Sequence, residues 1–449
     1  MRISKNVKQY NSDSQMKKKR IIQFFTLIFL LIAGRFFILF LIEPVDYSIF
    51  FNKILDNKAT THDNQIDMVI VGGSRGLRTF DPDIFEKELG LDCVFNGSSG
   101  LQPIESSYYM LKELINRYHP KYAIVALSWD ELFNNNSTLA KVIVYDRLTG
   151  LNKLEYLWNA FTPDEYLNTI SLCYRFRDNF NRDFIPANIK EKFDLYKNNY
   201  SERLSYPDLY KDNGFIYSYQ SGDIPNYGAI VFDPGAIDTK KAAYLEKITE
   251  LCRQEQVKLF LVSAPTTIMT LYRVENYQLA VDYYLNFAEK HGLNYVNLNY
   301  LQEREDWLPD KLMFDFNHVN GEGAEIVSEK YAKYLKTILS GEEAPDIFYK
   351  NLTDLQAEVH RIIAVGADIS ITNLHASVKI SSRQTDEITP LYRVHFSQDD
   401  ENYIPLTDWT SETDFIFDLS AYRGMAYFLI EAKSLTGEPG NSVKYMKEI

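Results

Sequence analysis

The chain has 449 residues and a formal net charge of −13 at pH 7, a length that suits two folded units with additions at the ends. Hydrophobic residues make up 45% and charged residues 24%, the balance of a globular protein and not of a disordered one. No cationic patch follows the first twenty residues, so nucleic acid is not an expected partner, because phosphate neutralisation needs clustered Lys and Arg.

Residues 1–20 form a basic segment ending in Lys17, Lys18, Lys19 and Arg20, and Ile21 to Ile42 make a mainly apolar run of 22 residues. That is close to the ~20 residues needed to cross a bilayer. The run is long for a signal peptide and no small-x-small cleavage site follows it, so an uncleaved single-pass anchor in a cell membrane is expected. The cations before the run, with Glu43 and Asp46 after it, place the N-terminus in the cytoplasm and the rest outside. Arg35 lies inside the span. Either it snorkels toward the outer face, or it contacts another integral membrane protein, such as one that supplies acyl groups.

After a polar linker (43–65) the chain alternates apolar strands with amphipathic helices. Asp67–Val71 reads as a short buried strand, and Asp81–Leu89 as a helix opened by Asp-Pro. Cys93–Phe95 is a second strand. Apolar residues at Ile104, Tyr108, Leu111, Ile115 and Tyr118 mark one helix face, which His119-Pro120 terminates before the strand Tyr122–Leu127. Helices at Thr239–Glu255, Glu275–His291 and Gly321–Leu339 alternate with strands at Lys258–Ser263 and Tyr295–Leu298. This rhythm predicts a three-layer α/β/α domain with a mainly parallel sheet over 66–340. Between about 134 and 235 it lapses, and a partly helical insertion capping one side of the sheet is expected. From 358 to 449, five short alternating runs predict a small β-sandwich. There Tyr392-Arg393-Val394, Trp409, Phe417-Asp418-Leu419 and Ala426–Ala432 resemble a fibronectin-like module.

Three short segments sit where such a sheet carries its chemistry, at the carboxyl ends of strands. Gly72-Gly73-Ser74-Arg75-Gly76 follows the first strand, and its glycines permit a sharp turn that presents the Ser74 hydroxyl. Asn96-Gly97-Ser98-Ser99-Gly100 follows the second, where Gly97 N–H is a candidate oxyanion donor beside Ser74 N–H. Asp315-Phe316-Asn317-His318 precedes the last helix. Its spacing lets Asp315 hold the imidazole by Nδ1 and leaves Nε2 to take the Ser74 proton.

This order of a Gly-x-Ser turn, an Asn-Gly turn and a late Asp-x-x-His resembles the SGNH (GDSL-like) hydrolase superfamily over about 67–339. Within it, the anchor followed by the Gly-Ser turn is similar to the D-alanyl-lipoteichoic acid biosynthesis and polysaccharide O-acetylation branches. The resemblance implies Ser74 as nucleophile, His318 as base, Asp315 as its orienter and Gly97 as an oxyanion donor. It implies no cofactor. The family's Gly-x-Asn-Asp block after the third strand is replaced by Leu127-Ser128-Trp129-Asp130-Glu131, which leaves a third oxyanion donor unassigned among Ser128 and Asn134, Asn135 and Asn136. The expected function is a cell-surface esterase or O-acetyl transferase acting on an envelope or secreted carbohydrate polymer through an acyl-serine. A non-catalytic scaffold of the same fold, binding glycan or a partner in an envelope assembly complex, is the competing reading.

Two other readings are weaker in residues. VIVGGSRG resembles the phosphate-cradling turn of short-chain dehydrogenases, with Tyr108 and Lys112 as a Tyr-x-x-x-Lys pair, but Arg78 stands where the third glycine belongs. Asp130 and Glu131 could serve a metal or sugar site, but read first as an exposed acidic loop. Cys93, Cys173 and Cys252 form no CxxC or Cys/His cluster, so neither a disulfide framework nor a metal site is expected.

Overall fold

The computed structural model describes residues 2–45, 47–133, 138–221, 230–359, 361–384, 388–435 and 441–449. It is a mixed α/β protein with a five-stranded parallel sheet, one apolar N-terminal helix and antiparallel sheets at the C-terminus. Helix α1 (Arg2–Ile42) contains the stretch Lys18–Ile42, 25 residues long and apolar enough to cross a membrane. Phe24, Phe25, Leu30, Phe36 and Phe37 stand exposed along it.

The stretch expected to be a linker is instead helix α2 (Tyr47–Thr61). Phe50, Phe51, Ile54 and Leu55 give it an apolar face that is wholly buried in the main core. Its Phe51 ring meets Phe95 edge-on at 5.3 Å and carries the Arg147 guanidinium over its face at 3.8 Å.

Strand β1 (Met68–Gly72) is followed by helices α3 (Ser74–Thr79) and α4 (Pro82–Leu89). Asp81 caps α4 by accepting from Asp83 N, with Pro82 in the first turn. Next come β2 (Val94–Asn96), α5 (Ile104–Tyr118) and β3 (Tyr122–Leu127). His119 closes α5 in the left-handed region at φ 48°, where the following proline cannot continue a helix. Then follow α6 (Thr138–Arg147), α7 (Gly150–Ala160), α8 (Phe184–Lys197) and α9 (Thr239–Gln254). Strand β4 (Lys258–Ser263), α10 (Tyr277–His291), β5 (Asn294–Asn297) and α11 (Gly321–Ser340) complete the unit.

The strands lie in the order β5-β4-β3-β1-β2, all parallel. Their side chains alternate between two cores. Val69, Val71, Val125 and Leu261 pack with α2, α5, α9 and α10. Met68, Ile70, Ile124 and Val262 pack with Phe85 of α4 and Tyr331 and Leu335 of α11. Burial on both faces explains why these strands read as continuous apolar runs.

The segment between β3 and α9 is partly helical. It also contributes an antiparallel three-stranded patch (Glu202–Ser205, Asp208–Lys211 and Ile216–Ser218) beside β2. Asn213 O accepts from Asn96 N at 2.9 Å, and Arg78 reaches Asp208, so the outer edge of the parallel sheet is covered.

Beyond α11, strands β6 (Ile362–Thr372), β7 (His375–Gln384), β8 (Pro390–Ser397), β9 (Asp414–Asp418), β10 (Met425–Ser434) and β11 (Asn441–Glu448) form two antiparallel sheets. One has the order β6-β7-β9, and the other contains β8-β10-β11 with the short strand Ile404–Pro405 at its edge. Val365, Val378 and Ile380 from the first share a core with Val394, Phe396, Phe428 and Ile430 from the second.

Candidate active site

In an open parallel sheet, ligands bind beyond the carboxyl ends of the strands, where the strand order reverses. Here that point lies between β1 and β3. Glycine at position 72 lets β1 and β3 close up, since a Cβ there would lie 2.7 Å from Ala126 O. The chain then turns through Gly73 and enters α3 at Ser74. A short helix begins there with its first amides unsatisfied by intrahelical bonds.

Ser74 Oγ stands 2.7 Å from His318 Nε2. The other ring nitrogen, Nδ1, is 2.9 and 2.8 Å from the two oxygens of Asp315. Asp315 Oδ1 also accepts from the amides of Asn317 at 2.7 Å and His318 at 2.9 Å. A bridge between Met313 and Val319 closes this turn, and Thr267 and Thr270 hydroxyls hold Phe316 O at 3.1 and 2.9 Å. Partial burial disfavours the Asp315 charge, but the bond from His318 and the two amides outweigh it and hold the carboxyl below its ordinary value. The three residues singled out in the sequence therefore form one hydrogen-bonded line. In it Asp315 fixes the ring and the Ser74 hydroxyl faces a ring nitrogen.

A cavity of about 160 Å³ opens over this line, bordered by Gly73, Leu101, Gln102, Ser128, Asn317 and His318 among others. Gln102 locks the loop beside it, accepting from Ser99 Oγ at 2.8 Å and donating to Ser107 Oγ at 3.1 Å. Asn317 Oδ1 is buried without a hydrogen-bond partner among the described residues and belongs to a side chain on the cavity wall.

The oxyanion expectation needs correction at Gly97. Its N–H donates to Ile70 O at 2.7 Å, and a Cβ there would strike Leu114 Cδ1 at 2.9 Å. Gly97 is small because α5 packs against it, and its amide belongs to the β1–β2 junction and not to the cavity. Among the described residues no hydrogen bond engages the amides of Ser74, Gly100 or Leu101, and Ser74 and Leu101 both line the cavity. Leu101 has φ 55°. The second glycine of the loop was visible in the sequence, but nothing there ranked it above the first.

The loop after β3 also differs from expectation. Asp130 and Glu131 do not form a solvated acidic loop; they line the cavity with Arg75 and Lys241. Arg75 Nη1 donates to Asp130 Oδ1 at 3.3 Å, and Ser128 Oγ donates to the same oxygen at 2.7 Å. The hydroxyl considered as a third oxyanion donor is thus committed to a carboxylate. Asn134, Asn135 and Asn136 lie outside the described residues. Protein packed around the Glu131 carboxylate, then the like charge of Asp130, pushes its pKa up to about 8.

Tyr108 and Lys112 are brought together on α5, but Lys112 Nζ binds Glu155 at 2.7 Å and neither residue borders the cavity. Among the described residues no group of three His, Cys, Asp or Glu is placed to hold a metal ion.

No family model and no curated protein matches the chain. Among solved structures it is similar to a "putative acylhydrolase" from Bacteroides fragilis, at 8% identity and a TM-score of 0.28, covering 65% of this chain and 99% of that one. It is also similar to an engineered protein, at 10% identity and a TM-score of 0.15, covering 91% of this chain and 98% of that one. At those scores neither likeness carries an argument.

Proposed function

We propose that this chain is an anchored serine esterase or O-acyl transferase of the SGNH type, acting on a carbohydrate polymer at the outer surface of the cell membrane. The observation that carries the reading is the line Ser74 Oγ, His318 Nε2, His318 Nδ1 and Asp315, with contacts of 2.7 to 2.9 Å.

In this reading the Ser74 oxygen attacks the ester carbonyl while His318 Nε2 takes its proton. The amide of Ser74, with that of Gly100 or Leu101, stabilises the oxyanion. Collapse breaks the bond to the leaving alkoxide, which takes the proton from His318, and leaves acyl-Ser74. Water or a sugar hydroxyl then gives its proton to His318 and attacks the acyl carbon; the bond to Ser74 Oγ breaks, and His318 returns the proton to that oxygen. Asp315 stays ionised and holds the ring. A cavity of about 160 Å³ is smaller than the ~300–1,000 Å³ of sites for drug-sized ligands, which favours a short acyl group such as acetyl. The C-terminal sheets are read as a fibronectin-like sandwich that spaces the enzyme or binds glycan, a reading supported by their shared apolar core.

The test is reaction of the full-length chain with a fluorophosphonate, mapped by peptide mass spectrometry. An adduct on Ser74 that disappears in His318→Ala supports an activated serine. A folded protein that forms no adduct would favour a glycan-binding scaffold instead.

A further inference from the structure

The insertion grips the end of α1 and leaves a wedge between them. Asn188 Nδ2 donates to Leu41 O and Glu43 O at 3.0 and 2.8 Å, and Asn179 Nδ2 donates to Ile42 O at 3.0 Å. Lys192 Nζ donates to Phe40 O and Glu43 O at 2.7 and 2.6 Å, neutralising the negative end of α1. Below these contacts a cavity of about 680 Å³ is lined by Arg35, Phe36, Leu39 and Phe40 of α1 and by Phe193 and Tyr196 of α8. Phe36, Phe193 and Tyr196 are 66%, 54% and 73% exposed. Such exposure is costly in water and normal for aromatic rings at a membrane boundary.

Glu43 borders the wedge, as do two cations: Lys192, whose Nζ is committed to Phe40 O and Glu43 O, and Arg35. Among the described residues no hydrogen bond or ion pair engages its guanidinium. It lies seven residues before Ile42, about 10 Å along the helix axis, within snorkelling reach of phosphate groups. The surrounding segment 172–200 carries Arg175, Arg177, Arg182, Lys190, Lys192 and Lys197 against Asp178, Asp183, Glu191 and Asp194. Its formal charge is +2 in a chain whose net charge is −13, with Arg175 paired to Asp146 and Lys190 to Asp194.

Resting on the reading of α1 as a membrane anchor, we propose that the wedge between α1 and α8 binds one anionic phospholipid of the bilayer. The guanidinium of Arg35 takes the phosphate, and Phe36, Leu39, Phe40 and Phe193 pack on the upper acyl chains. Because α8 closes the outer end, the space suits a headgroup and the start of its chains better than a partner helix continuing past α1.

The full-length chain reconstituted in vesicles of phosphatidylglycerol and phosphatidylcholine, washed with alkaline carbonate and then re-extracted, is read by native mass spectrometry. Retention of phosphatidylglycerol should exceed that of phosphatidylcholine about fivefold, the effect of one cation near a headgroup. Arg35→Gln should erase the preference, Lys197→Gln should keep it, and Phe193→Ser should lower retention of both lipids. Loss from the vesicles in carbonate overturns the anchoring reading and the lipid site together. A chain that stays integral but retains both lipids equally, or is unaffected by Arg35→Gln, overturns the lipid site alone. So does a photo-crosslinker at Leu39 that captures protein in place of lipid. Ser74→Ala should bind lipid as the parent does, which keeps this result separate from the acyl chemistry.

Discussion

Arg78 and Asp208 meet through two parallel hydrogen bonds, Nη1 to Oδ1 at 2.8 Å and Nη2 to Oδ2 at 2.6 Å. The same guanidinium lies over the Phe314 ring at 4.8 Å, next to Asp315. One side chain therefore ties the helix that begins at Ser74, the three-stranded patch and the turn that carries His318. Asp208→Asn should cost about 1.5–3 kcal/mol in urea unfolding, the range for a hydrogen bond to a charged group. Arg78→Met should in addition slow fluorophosphonate labelling of Ser74, because the two halves of the site lose a shared brace. Unchanged labelling in a folded Arg78→Met protein would refute that bracing role.

Ser74→Ala should leave the unfolding midpoint unchanged and remove acyl turnover. Asp315→Asn should lower turnover by about 10⁴-fold, through loss of the imidazole tautomer that leaves Nε2 free to accept. Its stability effect is pH-dependent. The ionised Asp315 carboxylate contributes stability above the unfolded value of 3.8 and loses it as pH falls through the lower folded value. Parent and Asp315→Asn melting temperatures should accordingly differ at pH 7 and converge well below pH 3.8.

Glu131 gives the opposite slope. Its folded pKa of about 8 lies above the ordinary 4.5, so between these values the folded chain holds a proton that the unfolded chain releases. Stability from this residue is therefore present at acid pH and declines as pH rises through the window. Glu131→Gln should flatten that decline, with its largest gain in melting temperature above pH 8. Parallel curves for parent and variant between pH 5 and 9 would count against it.

Phe51→Ala probes the helix that follows α1. The side chain is fully buried between Phe95 and Arg147, and its truncation should cost about 3–5 kcal/mol. A mobile spacer would tolerate the change with no shift in the denaturation midpoint.

Much of this architecture was readable because local signals agree with the final packing. Asp81-Pro82 opens α4, His119-Pro120 ends α5, and β1, β3 and β4 are apolar throughout because both faces are covered. Ser74, Asp315 and His318 were legible as residues at strand ends, although 244 positions separate serine from histidine. Helix α2 escaped notice because its apolar face spans few turns and abuts the anchor and Pro44. Gly97 misled for another reason. A glycine beside a site reads the same whether it yields space to a substrate or to Leu114, and only the packing of α5 tells these apart. The commitment of Asp130 to Arg75 is a tertiary contact with no local sequence signature.

The grip of Asn179, Asn188 and Lys192 on the last turn of α1, followed at once by a core helix, leaves almost no slack between α1 and the body. A flexible tether would let an enzyme sweep a hemisphere of the cell surface. A clamped mount fixes altitude and heading instead. In the proposed reading, with α1 upright in a bilayer, Ser74 is held at one standoff above the lipid, polymer strands would be presented at that height, and lengthening the α1–α2 junction would detune reach without touching a single reacting atom.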